Sequence, residues 1–402
     1  MIRIEEFKVK NYKNIGEADL KLSNFNLIVG VNNSGKTNFI QTLSFLDFLI
    51  NGAIDEVEEG MQSGYFGFTF KGVYPPNNGN TEFYLKFFDT EFENIYEYGL
   101  SIKWENKKGR IKGKIESEYF HYKNIHKTGK ATTIFDRDIY KINKLFDDYK
   151  KAIKISYVKE YQSIFRIIKV IPVDNQILNK AINSFDNVLK SPTFFFSSFE
   201  LSKLRAFQME DAYYGNRLMS FDLEKNIAEI QDTPDWTFFK NTLRNLLDIE
   251  YVQVIRDENH KPVQGDIVCR VKHHNQTKYI KRLSDGALLL IALLTKILTS
   301  KRDIFLIEKP ENSLHPTALL GLLDVMASFH KEKQFIITTH SETLVSRAKP
   351  EEVIVAKIGE SGMSEISNIR NVRELKRKLR NDFINFSDYV FFGEDETVEI
   401  EY

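Results

Sequence analysis

The sequence predicts an α/β fold with a mixed, partly parallel core sheet, an antiparallel β arm and an inserted helical subdomain. Three observations point to it. Residues 25–49 read as an apolar strand, a glycine loop and a helix. Short apolar runs at 304–307, 335–339 and 353–356 are separated by helical stretches, the pattern of parallel strands joined by right-handed crossovers. Between these regions, residues 66–122 alternate aromatic and polar side chains, as half-buried antiparallel strands do.

Bulk properties narrow the classes. A chain of 402 residues suits one large or two interleaved lobes, and 42% hydrophobic residues can fill a sizeable core. The 32 Phe and 18 Tyr make that core aromatic. The 56 basic and 56 acidic residues cancel, so the overall field does not predict nucleic-acid binding. A single cysteine, Cys269, excludes a disulfide framework and a cysteine-rich zinc site, and is expected in a buried strand. No apolar run reaches membrane-spanning length, and no membrane partner is expected. The chain opens on a polar-alternating strand, so no signal peptide is expected and the expected home is the cytoplasm.

In chain order, residues 2–30 read as β, with a basic turn at 10–16, and the first helix follows at 37–50. The acidic stretch Asp55, Glu56, Glu58 and Glu59 reads as a solvated helical face. Tyr65, Phe66, Phe68 and Phe70 alternate as a strand, residues 75–80 form a loop, and Asn106-Lys107-Lys108-Gly109 is a hairpin turn. Helical periodicity dominates from 136 to 250, through Ile139, Ile142, Leu145 and Phe146, then Ile177 to Phe185; Phe194-Phe195-Phe196 suits a short buried strand. Strands return at 251–255, 267–271 and 278–280, and a long apolar helix spans 286–298. The expected divisions are an N-terminal lobe (1–135), a helical insertion (136–250), a C-terminal lobe (251–357) and a tail offering a partner contact (358–402).

Gly30-Val31-Asn32-Asn33-Ser34-Gly35-Lys36-Thr37 fits the phosphate-loop pattern at every required position, in strand–loop–helix context. Gly30 and Gly35 let the backbone turn its N–H groups toward phosphate oxygens. Asn32, Asn33, Ser34 and Asn38 belong to the same cradle, and the helix N-terminus adds its positive dipole end. Lys36 supplies a charge to the β and γ phosphates, and Thr37 a magnesium ligand. The cofactors expected are ATP and Mg²⁺.

Such a loop needs an acid at the end of a buried strand. Glu308 ends the apolar run 304–307 and is the second expected metal ligand. The next position is where a carboxylate would polarise water, yet it holds Lys309, a cation at neutral pH. Glu311, two residues on, could stand in only if its side chain points the right way. Ser284 and Gly286 open the long apolar helix, Ser284 as N-cap and Gly286 for close backbone approach to a ligand. His340 follows the run 335–339, placed to contact a γ-phosphate.

In this order GVNNSGKTN (30–38), LSDG (283–286), IEKPENSLHP (307–316) and TTHS (338–341) resemble the Walker A, signature, Walker B/D-loop and switch-histidine motifs of ABC-type P-loop ATPase heads of the SMC and OLD-nuclease kind. The resemblance covers roughly 1–135 and 250–357, including a β arm at 96–135. It implies a head-to-tail homodimer or higher oligomer with ATP between heads. Lys36, Thr37 and Glu308 would hold ATP·Mg²⁺, Ser284 and Gly286 of the other subunit would cap the γ-phosphate, and His340 would sense it. Asn11 and Lys13 would lie near the nucleotide. The family's Q-loop glutamine has two candidates, Gln62 and Gln208.

Lys309 departs from this pattern and implies slow or blocked hydrolysis with ATP binding kept. It reads either as an engineered trap for the ATP-bound dimer or as a natural clamp; Lys309→Glu is expected to raise turnover. OLD-type proteins carry a Toprim nuclease domain after the switch histidine. Phe391-Phe392-Gly393-Glu394-Asp395 resembles its first strand only faintly, and the chain stops at Tyr402. The expectation is a standalone ATPase subunit of a bacterial anti-phage defence system, scaffolding or regulating a Toprim or HNH effector nuclease on a separate chain. The alternative is a DNA-repair or chromosome-maintenance ATPase binding DNA directly, with basic runs at 107–114 and 376–380 as its support. A transporter subunit fits less well, because it needs neither the β arm nor the insertion.

Overall fold

A computed structural model describes residues 1–73, 79–108, 110–139, 141–150, 158–196, 204, 223–256, 262–271, 277–381 and 385–392. The strands are β1 (Ile2–Tyr12), β2 (Ile15–Lys21), β3 (Phe25–Gly30), β4 (Thr81–Asp89), β5 (Asn94–Lys107), β6 (Arg110–Asn124), β7 (Thr132–Asp138), β8 (Ile142–Leu145), β9 (Thr193–Phe195), β10 (Ile249–Arg256), β11 (Pro262–Val271), β12 (Lys278–Tyr279), β13 (Ile304–Glu308), β14 (Gln334–Thr339), β15 (Val353–Ile358) and β16 (Ser364–Asn368). Among the described residues thirteen of them form one sheet in the order β8-β7-β6-β5-β4-β1-β2-β16-β15-β3-β14-β13-β9.

The predicted α/β architecture is present. Four strands pair in parallel around the phosphate loop: β15 with β3, β3 with β14, and β14 with β13, and β9 adds a further parallel edge. From β1 through β8 the neighbours β4 to β8 run antiparallel, the arm that the alternating aromatics predict. Side chains alternate between two cores. Ile28, Ile304, Leu306, Ile336 and Ile354 face the one that includes the phosphate-loop helix (Lys36–Asn51). Leu27, Val29, Phe305, Ile307, Phe335, Ile337 and Val353 face the other, which includes the helices Asp235–Leu247, Asp285–Thr299 and Pro316–Ser328. Burial on both faces explains why these strands read as unbroken apolar runs.

The arm closes over a ring stack. Phe87 lies 5.0 Å from Tyr96 and 5.7 Å from Phe185, the latter on helix Gln176–Leu189. Each such pair adds about 0.5–1.5 kcal/mol beyond its area burial. At the centre, Gln334 starts β14 with a buried amide. It accepts the Ile4 N–H and donates to the carbonyls of Ile4 and Ser23, tying β1 to the end of β2 and to β14.

Several local readings change. Residues 67–70 are not strand; Gly67–Phe70 is a helical turn, entered at Gly67 with φ +64°. Phe66 and Phe70 leave the strand pattern because both rings pack on Phe45 of the phosphate-loop helix. Ile142 and Leu145 are strand, not helix, since β8 pairs with β7. Ile177 is exposed, and the buried stripe of its helix starts at Leu178. β10, β11 and β12 form a separate antiparallel sheet, with Cys269 buried in β11 as expected. Beyond residue 358, β16 is inserted between β2 and β15, inside the main sheet. The acidic helix Ile54–Ser63 does expose Asp55, Glu56 and Glu59. Residues 75–78, Gly109, Gln208 and the 393–395 stretch lie outside the described residues.

Candidate nucleotide-binding site

β3 delivers the chain to Gly30, whose φ is +155°. A Cβ there would stand 2.1 Å from the Ala356 carbonyl oxygen, so the loop can leave the sheet only through glycine. Asn33 is left-handed at φ +66°, and Gly35 reaches φ +82° before the helix begins at Lys36. Asparagine and glycine are the residues that tolerate this conformation.

Lys36 folds back into its own loop. Its ammonium donates to the carbonyls of Gly30 (2.8 Å) and Val31 (2.7 Å) and to the Ser34 hydroxyl (3.2 Å). It is only 4% exposed. Burial and the nearby Lys309 ammonium push its pKa down to about 8, against the pull of Glu311 and Glu308. Thr37 donates its hydroxyl to Glu308 Oε1 at 2.6 Å, across 271 positions of sequence. Asn38 donates to Asn14 Oδ1 (2.6 Å), and Asn14 donates to the Asn33 carbonyl (2.7 Å) and the Ser364 hydroxyl (3.1 Å). Asn14 thus clamps the loop to β16. Nothing in the motif pattern marks this residue, because its contacts depend on β16 entering the sheet.

Lys13 bonds Gln41 of the phosphate-loop helix at 3.0 Å, one turn beyond Thr37. Desolvation, then Lys71, lowers its pKa to about 8. Asn11 turns away from the loop; its amide donates to Asn80 and its carbonyl accepts from Thr81. Gln62 bonds Glu58 on the acidic helix instead.

β13 and β14 end side by side, with Glu308 opposite Thr338. Lys309 follows in the left-handed region (φ 49°, ψ 60°) and donates its N–H to the Thr338 carbonyl at 2.9 Å. His340 donates its backbone N–H to Glu311 Oε1 at 2.6 Å. Its ring pKa is lowered by burial and by the Lys36 and Lys309 charges, with a hydrogen bond to the Gly30 backbone opposing. Phosphate loop, strand acid and histidine therefore meet at the C-terminal ends of adjacent parallel strands, where α/β sheets bind ligands.

Ser284 and Gly286 do not join them. Among the described residues, none of the phosphate-loop hydrogen bonds given above reaches either one. Ser284 occupies the N-cap position but its hydroxyl makes no capping bond, and it is exposed. Packing alone already requires glycine at 286: a Cβ would stand 2.0 Å from the Ser313 carbonyl oxygen.

The donor set fits a nucleotide–metal pair. Among the described residues no group of three His, Cys, Asp or Glu side chains gathers as a metal site. Thr37 and Glu308 offer two hard oxygens, which suits a divalent cation that draws its other ligands from phosphates and water.

A family model described as "AAA domain, putative AbiEii toxin, Type IV TA system" matches residues 25–346. The chain belongs to this family. The family is one of P-loop ATPases, which implies nucleotide binding with a divalent metal. The chain is 21% identical over 374 residues to the endonuclease GajA of Bacillus cereus (strain VD045), covering 86% of this chain and 56% of that protein. It thus spans little more than half the length of this relative. Among solved structures, the Smc head domain with an extended coiled coil, bound to the C-terminal domain of ScpA, from Pyrococcus furiosus superposes with a TM-score of 0.53 at 12% identity, over 94% of this chain and all of that one. At that identity the likeness shows the fold alone. The Smc head domain with a coiled coil and joint from Pyrococcus yayanosii gives 0.46 at 12% identity, over 96% and 100%. Among the described residues no helix is long and apolar enough to cross a membrane.

Proposed function

We propose that this AAA-domain ATPase binds ATP·Mg²⁺ and uses it to join two heads, head to tail, as the nucleotide-controlled scaffold of a separate effector nuclease in anti-phage defence. The observation that supports the reading is a contrast in placement. The phosphate loop, Glu308 and His340 converge at the strand ends, while Ser284, at the start of its own helix, is exposed and makes no capping bond. Lys36, Thr37 and Glu308 hold the nucleotide and its cation; the metal neutralises charge on the phosphates. Ser284 and the helix N-terminus behind it meet the γ-phosphate of the partner's nucleotide. The likeness to an endonuclease longer than this chain supports a nuclease context.

Light scattering of the purified chain tests it. The mass is expected to double with ATP and Mg²⁺, to stay unchanged for Lys36→Ala, and to stay unchanged for Ser284→Arg even though that variant still binds ATP. Doubling in Ser284→Arg sinks the head-to-tail arrangement. The effector is tested by co-purification of a neighbouring-gene product whose metal-dependent nuclease activity responds to ATP.

A second reading, direct binding of duplex DNA, draws on one feature. Arg373, Lys376, Arg377 and Arg380 line a cleft on the helix Val372–Asn381, although Lys376 is already paired with Glu351. DNA affinity falling steeply with salt favours this reading.

A further inference from the structure

Glu311 is the acid that the phosphate-loop motif does not call for. It lies in the turn Pro310–Asn312, just past the left-handed Lys309. Because Lys309 bonds back to the Thr338 carbonyl, the chain crosses toward β14 instead of continuing along β13. Glu311 Oε1 is then fixed by the His340 N–H. Its Oε2 is buried without a hydrogen-bond partner among the described residues, as are Thr338 Oγ1 and His340 Nε2 at the same strand end. Buried polar groups are costly to leave unbonded. All three residues lie where β13 and β14 end side by side, and a small hydrogen-bonding species there would satisfy such groups. The Glu311 carboxylate lies near enough to Lys36 for its charge to favour the ammonium.

We infer that Glu311 is the catalytic carboxylate of ATP hydrolysis, in the role that Lys309 cannot fill. The inference rests on the ATPase reading above. Glu311 Oε2 accepts a hydrogen bond from a water. The water oxygen bonds to the γ-phosphorus as the bond from that phosphorus to the β,γ-bridging oxygen breaks. The electron pair of the broken bond leaves with ADP, and the proton of the water passes to Oε2 and then to solvent. The products are ADP and inorganic phosphate. Oε1 keeps its bond to His340, so the strand end that senses the γ-phosphate also aims the carboxylate.

The test separates binding from turnover in the full-length chain, with a fluorescent ATP analogue for the first and phosphate release for the second. Wild type is expected to bind and to turn over slowly. Glu311→Gln is expected to bind within about threefold of wild type and to lose at least about a hundredfold in turnover, the usual size of a general-base contribution. Glu311→Asp loses less, and Glu311→Ala regains turnover in added formate, a rescue that a purely structural role for the side chain would not give. The inference is overturned if Glu311→Gln releases phosphate at the wild-type rate. It is also overturned if wild type binds nucleotide yet releases phosphate no faster than Lys36→Ala. Where Glu311→Gln does not fold, as judged by circular dichroism, absence of formate rescue in folded Glu311→Ala overturns it instead. Failure of wild type to bind nucleotide at all sinks the ATPase reading, a different result.

Discussion

Lys36 shows what the site demands of one side chain. Three acceptors hold its ammonium inside the loop, and desolvation with the Lys309 charge brings its pKa to about 8. A triphosphate raises that pKa again, because the anion favours the charged form. Binding therefore takes up a proton once the pH passes 8. ATP affinity is expected to hold steady from pH 6.5 to 7.5 and to fall above 8, approaching tenfold per unit, the limit for one linked proton. Calorimetric titration across that range reads it, and an affinity flat from pH 7 to 9 refutes it. Legibility at this scale follows chemistry. Gly30, Gly35, Lys36, Thr37 and Glu308 stand out because phosphate and metal binding fix both residue type and spacing. The direction of Glu311 is not legible, because it depends on a left-handed lysine that no periodicity marks. Asn14 is hidden for a similar reason: its partners Asn33, Asn38 and Ser364 converge only in the folded sheet.

The parallel strands are readable because both faces are buried, which leaves mostly apolar residues between the turns. Other elements were misread where side-chain packing overrode the local pattern. Residues 67–70 alternate like a strand, yet the rings of Phe66 and Phe70 are claimed by Phe45. β8 has helical spacing, yet pairing with β7 decides its backbone. Gln334 shows the reverse case, a polar residue buried at the start of an apolar run. Its amide satisfies the Ile4 N–H and the carbonyls of Ile4 and Ser23. Gln334→Leu keeps the bulk but orphans buried backbone groups. It is expected to cost about 3 kcal/mol, read as a lower urea midpoint with an unchanged slope. A midpoint within error of wild type would show that water replaces the amide.

For the whole molecule, the two cores on opposite faces of one sheet make a head whose nucleotide edge lies along the ends of β3, β13 and β14. If ATP is shared between two such heads, stability becomes a question of concentration. A ligand that bridges subunits stabilises by mass action, so the melting temperature in ATP·Mg²⁺ is expected to rise with protein concentration. The rise is expected to vanish in Ser284→Arg, whose melting temperature responds to ATP but not to dilution. A concentration-independent melting temperature in wild type argues for a site completed within one chain. Little of this scale was legible in advance. The motifs gave the parts of the site, but not that β16 closes the sheet between β2 and β15.

The contact between Gly286 and Ser313 links these scales. The two backbones lie so close that a single Cβ would collide with the Ser313 oxygen at 2.0 Å, so the start of the Ser284 helix packs directly on the loop after β13. Glu311 sits two residues before Ser313, and Ser284 two before Gly286. If the proposed head-to-tail pair forms, any coupling through this contact is reciprocal: a nucleotide held at the Glu311 turn and one capped by Ser284 raise or lower each other's affinity by the same factor.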